Sequence, residues 1–170
     1  ERMTKLADYD AYLSRLKKQL ECAREELEGY CEQVSKIRKK YAVTLTAAVT
    51  EALKDLNFLD VRFEMHFERT PDDAEFLIST NPGEPVKPLG KVASGGELSR
   101  IMLAIKTVLA DNDAIETLIF DEIDSGISGR TAQMVAEKIK MTGKNHQIIC
   151  ITHLPQIAAM ADHNFLIEKT

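Results

Sequence analysis

The first forty residues repeat an apolar position at alternating steps of three and four: Leu6, Tyr9, Leu13, Leu16, Leu20, Ala23, Leu27, Tyr30, Val34, Ile37 and Tyr41. This is the a/d spacing of a heptad repeat, with charged residues between and no proline, and it predicts one strand of a coiled coil. A lone amphipathic helix packed on a globular core carries a wider apolar stripe. The partner strand would come from a second copy or from another segment of the same protein. Beyond Tyr41 the spacing relaxes to about 3.6, at Leu45, Val49, Ala52, Leu53 and Leu56, so the helix is expected to enter a globular domain and stop near Asn57. The division is therefore a coiled-coil leg over 1–56 and a lobe over 57–170.

After Asn57 the period changes. Val61, Phe63, Met65 and Phe67 alternate with Arg62, Glu64, His66 and Glu68, the pattern of a half-buried strand. Thr70-Pro71-Asp72-Asp73 supplies a turn, and Ala74 to Thr80 a return strand, giving a small hairpin. Asn81 to Pro88 holds three prolines and reads as a loop. From Leu98 onward helices and short apolar strands alternate: a helix through Leu109, a strand Thr117–Phe120, a helix Thr131–Met141, a strand Gln147–Thr152, a short helix Leu154–Ala161 and a last strand Asn164–Glu168. That alternation predicts an α/β lobe with a largely parallel sheet covered on both faces.

Composition narrows the function. The chain has 170 residues, 44% hydrophobic, and a net charge of −5. Residues 1–42 are near neutral with ten basic and eight acidic residues, which leaves the acidity in the lobe. No basic block marks a nucleic-acid footprint, so the chain does not read as a stand-alone DNA-binding module. Cys22, Cys31 and Cys150 have neither metal-like nor disulfide-like spacing and read as small hydrophobes in a reducing cytosol. No long apolar run or signal pattern points to a membrane. The opening ERMTKLADYD starts in mid-pattern, as a cut fragment would.

Three local patterns carry chemistry. Ala93-Ser94-Gly95-Gly96-Glu97-Leu98-Ser99-Arg100 opens a helix after a loop. Ser94 and Glu97 form an S-x-x-E capping box, and two glycines at a helix N-terminus let an anion approach the backbone. An ordinary capped helix start is the plain alternative. Thr117-Leu118-Ile119-Phe120-Asp121-Glu122 places two carboxylates at the carboxyl edge of a sheet, where ligands of α/β folds bind. Asp121 there suits Mg²⁺, and Glu122 suits a general base acting on water. Cys150-Ile151-Thr152-His153-Leu154-Pro155 puts a histidine just past the next strand, at the same edge if the two strands are parallel neighbours.

In order, these motifs resemble those of SMC-like, ABC-type ATPases. Ser94-Gly95-Gly96-Glu97-Leu98 is similar to the signature motif, Thr117–Glu122 to a Walker B strand, Ser125-Gly126-Ile127-Ser128 to the D-loop, and His153 to the switch histidine. The runs ASGGELSRIMLAIK, FDEIDSGISGRTA and ITHLPQIAAMADHNFLIEK resemble the DNA-repair branch of that family, over residues 91–169. No G-x-x-x-x-G-K-[ST] phosphate loop occurs in the chain.

The resemblance implies the C-terminal lobe of an ATPase head, preceded by a long coiled-coil helix. It implies that ATP and Mg²⁺ are the cofactors, with Asp121 organising the metal, Glu122 activating water and His153 sensing the γ-phosphate. Ser94, Gly95, Gly96 and Glu97 would bind ATP across a head–head interface, with Ser125 and Gly126 lining it. Implied partners are an N-terminal lobe carrying the phosphate loop, a second head protomer, and DNA at double-strand breaks through the full-length protein, at the bacterial nucleoid. Two positions depart from the common ABC pattern: Ser128 where Asp is frequent, and Glu97 where Gln is frequent. The chain alone is expected to hydrolyse no ATP and to self-associate through its sheet edge or its heptads. Two other readings stay open: a structural dimerisation module, and a metal-dependent nuclease using Asp121, Glu122, Asp124 and His153.

Overall fold

Helix α1 spans Arg2–Asp55 without a break, as the uninterrupted helical spacing requires. The computed structural model describes residues 2–67, 73–92 and 94–168, with side chains from Tyr9 onward; most of the expected Thr70–Asp73 turn and Ala93 lie outside the described residues. The chain divides into two units, Glu1–Tyr41 with Phe67–Asp73, and Ala42–His66 with Ala74–Thr170.

In the first unit the described a/d positions of α1 from Leu16 to Tyr41 are mostly open to solvent, with Leu20, Leu27, Val34 and Ile37 all exposed. In the second unit α1 changes character. Val49, Ala52, Leu53 and Leu56 enter the core, and Leu53 is 0% exposed. The helix ends where expected, and Asn57 takes a left-handed conformation (φ 70°) suited to a helix C-terminus.

The hairpin region forms a three-stranded sheet in the order β1 (Arg62–Phe67), β2 (Ala74–Ser79), β3 (Lys87–Pro88). The rings of Phe63 and Phe76 stack at 5.2 Å between centroids. The segment Asn81–Pro88 is therefore more than a loop. Its last two residues pair antiparallel with β2, Leu77 opposite Pro88 and Ile78 opposite Lys87. A proline fits there because β3 lies at the edge, where a missing N–H costs no ladder bond.

The second sheet pairs β4 (Thr117–Phe120) and β5 (Gln147–Cys150) in parallel, in register from Thr117 opposite Gln147 to Phe120 opposite Cys150. Helices α2 (Gly95–Leu109) and α3 (Gly129–Thr142) bury Leu118 and Phe120 against Ile101, Ala104, Val135 and Ala136. The hydroxyls of Thr107 and Thr142 join the two helices at 2.9 Å. The expectation of a sheet covered on both faces is met on one face only. Ile119 (67% exposed) and Ile149 point the other way, because no described element packs there.

The chain end also departs from expectation. After the short helix α4 (Pro155–Ala158), residues 164–168 form no strand. Phe165 is 92% exposed, and Leu166 and Ile167 are nearly as open. The apolar run has strand chemistry, but a strand needs a neighbour to take its N–H and C=O groups, and among the described residues none lies beside it.

Candidate functional site

Parallel pairing of β4 and β5 brings two strand ends to one edge. Asp121 and Glu122 leave β4 there, and Ile151, Thr152 and His153 leave β5, with the Ile151 amide donating to the Phe120 carbonyl at 2.9 Å. Asp121, Glu122 and His153 are all exposed. Glu122 sits in the left-handed region (φ 56°), a conformation that costs a non-glycine residue energy and turns the chain sharply after the strand.

Helix α2 starts beside that turn. Ser94 is its N-cap in extended conformation, and its hydroxyl accepts from the Glu97 amide at 3.4 Å. The second turn is fastened to residues 121–125. The Ser99 hydroxyl donates to the Asp121 carbonyl at 2.8 Å. One guanidinium nitrogen of Arg100 donates to the Ile123 carbonyl (3.1 Å) and the Ser125 carbonyl (2.8 Å). The same guanidinium lies 5.7 Å from the centre of the Phe58 ring. Burial lowers the guanidinium's proton affinity, and Glu97 opposes that shift.

The two glycines have a use that sequence reasoning missed. A Cβ on Gly95 would stand 2.7 Å from a Glu122 carboxylate oxygen, and one on Gly96 would stand 2.8 Å from the Glu122 carbonyl oxygen and from the Ser125 Cβ. Gly96 needs to be glycine for α2 to close on the turn, because its Cβ would meet backbone, whereas at Gly95 the movable end of the Glu122 side chain can swing aside. The Glu122 carboxylate thus lies beside the N-terminus of α2, where the helix dipole favours an anion.

Asp124, which the sequence suggested only as a ligand in the nuclease reading, has a different place at this edge. Its side chain is 3% exposed. One oxygen accepts from the Thr152 hydroxyl (2.5 Å) and the His153 amide (2.8 Å), and lies 3.1 Å from His153 Nδ1. Burial alone would raise its proton affinity, but these bonds and the nearby imidazole outweigh it and hold the carboxyl below its usual range. An acid four residues past a strand carried no sequence signal for that role. Only the pairing of β4 with β5 reveals the partner.

The remaining candidates fall nearby. Gly126 takes φ 74°, and with Glu97 and Arg100 it lines a cavity that also touches Asn57, Asp60 and Asn81. Ser125 is exposed, and its amide donates to the Glu122 carbonyl. Burial, with the Asp124 and Asp121 carboxylates, pushes the Cys150 thiol up to about 11. Among the described residues no three acidic, histidine or cysteine side chains gather to hold a metal by themselves. A lone exposed carboxylate such as Asp121 fits a hard ion that keeps water and phosphate oxygens as its other ligands, the usual state of Mg²⁺.

No protein-family model matches the chain. Curated relatives do. The chain is 44% identical to the DNA repair protein RecN of Halalkalibacterium halodurans and 41% identical to that of Bacillus subtilis, in each case over 99% of its own length and about a third of theirs (32% and 33%). RecN of Treponema pallidum is 59% identical over 98 residues, 58% of this chain. Among solved structures, the chain is similar to the Smc head domain with an extended coiled coil from Pyrococcus furiosus, there bound to the C-terminal domain of ScpA. That likeness has a TM-score of 0.57 at 24% identity and covers 85% of this chain and 38% of that one. A Pyrococcus yayanosii Smc head with coiled coil and joint gives 0.57 at 23%, covering 85% and 29%. A further SMC ATPase structure, from work on ATP-driven dimerization and DNA stimulated activation, gives 0.50 at 22%, covering 75% and 78%. At these identities the structures show a shared SMC-head fold.

Proposed function

We propose, from the premise that this chain belongs to the RecN family of DNA repair proteins, that it supplies the water-activating half of an ATP-hydrolysing head. The observation that carries this reading is one sheet edge on which Asp121, Glu122, an oriented His153 and the capped N-terminus of α2 all converge. The chain spans about a third of the length of the curated relatives it matches, so the activity belongs to a larger assembly.

Each residue has a task. ATP with Mg²⁺ supplies the transferable phosphoryl group and a counter-charge to it. Asp121 offers one hard oxygen to the metal. Glu122, exposed at the strand end, accepts the proton of the attacking water. His153 would face the γ-phosphate, whose oxygens accept and therefore call for a ring N–H. Ser94, Gly95, Gly96 and Glu97 present the start of α2 to the nucleotide of an opposing head, where N–H groups without a helical partner and the dipole favour phosphate. Ser125 and Gly126 lie on the surface that such a head would meet. Positioned charge of this kind is most of what phosphoryl transfer to water requires. The cradle for the β- and γ-phosphates and its lysine would come from an N-terminal lobe of the same protein.

In this reading residues 1–56 are a coiled-coil leg, residues 57–170 the lobe, and DNA double-strand breaks in the bacterial cytoplasm, at the nucleoid, the place of action. Among the described residues no helix is long and apolar enough to cross a membrane. The nuclease alternative is disfavoured by Asp124, whose carboxylate is committed to Thr152 and His153 and leaves no free oxygen pair for a metal.

The test is reconstitution. A separately expressed lobe carrying the phosphate loop is mixed with this chain, and ATP hydrolysis is measured against each part alone. Hydrolysis only in the mixture, with Glu122→Gln binding nucleotide but barely turning over, supports the proposal. Hydrolysis by this chain alone, or an inert mixture that nevertheless forms a stable complex, overturns it.

A further inference from the structure

His153 and the N-terminal half of α2 are joined through two side chains. Arg100, on the second turn of α2, is 6% exposed and holds the carbonyls of Ile123 and Ser125, the residues on either side of Asp124. Asp124 in turn accepts from the Thr152 hydroxyl and the His153 amide, and its carboxylate lies 3.1 Å from the His153 ring. A carboxylate offers only acceptors, so its place 3.1 Å from Nδ1 favours a proton on that ring nitrogen over a lone pair. The neutral ring then has its lone pair on Nε2, in a side chain that is 74% exposed.

Burying a charged guanidinium is costly unless its donors are used. Arg100 uses one nitrogen on both carbonyls and sets its cation near the Phe58 ring, while its Nε has no partner. For helix–turn packing alone an apolar side chain would do. One cationic nitrogen that grips the carbonyls on both sides of a buried carboxylate fixes the direction of that carboxylate. We infer that Arg100 and Asp124 are positioning residues which together set the tautomer and orientation of His153 and make both follow the placement of the start of α2. On the proposed ATPase reading, on which this consequence rests, contact of an opposing nucleotide with Ser94–Glu97 would be felt at the histidine of the chain's own site.

The first measurement needs no ATPase. The ring nitrogens of the chain's four histidines are followed by ¹⁵N-detected correlation spectra, through a pH titration that identifies the neutral form of each. In the unaltered chain His153 should show a protonated Nδ1 and a bare Nε2. Asp124→Asn should shift it toward the mixture of a free imidazole. Arg100→Lys keeps the charge but ends its ammonium one bond short of the guanidinium nitrogen that meets both carbonyls, and it should move His153 in the same direction. His146 is the internal control for folding, because its buried Nδ1 bonds the Ile115 carbonyl at 2.7 Å, away from this edge. A proton on Nε2 of His153 in the unaltered chain, or a His153 unmoved by both substitutions while His146 stays in place, overturns the inference.

The second measurement is kcat in the reconstituted mixture, where Arg100→Lys and Asp124→Asn should each lower kcat about tenfold or more with KM for ATP little changed, as misplacement of a reacting group does. A fall in KM-linked binding with unchanged kcat would overturn the positioning role. If the spectra behave as stated and the mixture never hydrolyses ATP, the link stands and the ATPase proposal falls.

Discussion

A Cβ on Gly96 would stand 2.8 Å from the Cβ of Ser125, a distance that real Cβ atoms do not tolerate. The contact reverses an expectation based on helix propensity. Alanine is a better helix former than glycine by about 1 kcal/mol, so Gly96→Ala on a free helix would stabilise. Here the new methyl also meets the Glu122 carbonyl, which is backbone and cannot swing aside. The expected result is a loss of about 1–3 kcal/mol in urea unfolding. Gly90→Ala, with nothing within 4 Å, should be neutral or mildly stabilising. Stabilisation by Gly96→Ala would show that α2 does not close on the turn.

The long helix should respond differently along its length. Leu53 is fully buried among Val49, Leu56 and Ile101, so Leu53→Ala should cost about 2–5 kcal/mol. Leu27 is 61% exposed, and Leu27→Ala should change the stability of the lobe by less than about 0.5 kcal/mol. If the heptads pair two copies, Leu27→Ala should instead lower the mass of the chain in size-exclusion chromatography with light scattering at a fixed concentration. A clean monomer at high concentration for the unaltered chain would remove the self-association proposal.

Acid should act through Asp124. Its folded proton affinity lies below that of an unfolded aspartate, against the opposing effect of burial. The sign follows: the stabilisation is present above the ordinary aspartate value near 3.8 and is lost as pH falls through the lower folded value. Unfolding free energies measured between about pH 6 and pH 3 should therefore drop less in Asp124→Asn than in the unaltered chain. Equal slopes would mean that Asp124 is no more strongly held in the fold than in the unfolded chain.

Thiol chemistry offers a separate check on the β5 edge. Cys22 and Cys31 are exposed, while the Cys150 thiol is pushed up to about 11. Alkylation by iodoacetamide at about pH 8, where an ordinary thiol is partly ionised, should label the first two well before Cys150, as read by peptide mass spectrometry. Equal rates at all three would show that Cys150 is not shielded by the Asp121 and Asp124 carboxylates and the apolar surround.

What the sequence determined by itself is local and periodic. The heptads and the widening stripe from Leu45 to Leu56 define one helix, because side chains three and four apart share a helix face whatever surrounds them. The short apolar runs at Thr117–Phe120 and Gln147–Thr152 read as strands from their length and residue types alone, and Ser94 with Glu97 marks a helix start. The tertiary structure decided the partners. Whether His153 stands beside Asp121 depends on β4 and β5 being parallel neighbours in one register, and periodicity within a strand carries no information about the strand next to it. Asp124 reads as one more acid in a turn until Thr152 and His153 are folded against it. Gly95 and Gly96 read as room for a ligand until Glu122 and Ser125 fill that room. Phe165, Leu166 and Ile167 read as a strand, yet they stay exposed here, because a strand is completed by hydrogen bonds that only a neighbouring segment can provide.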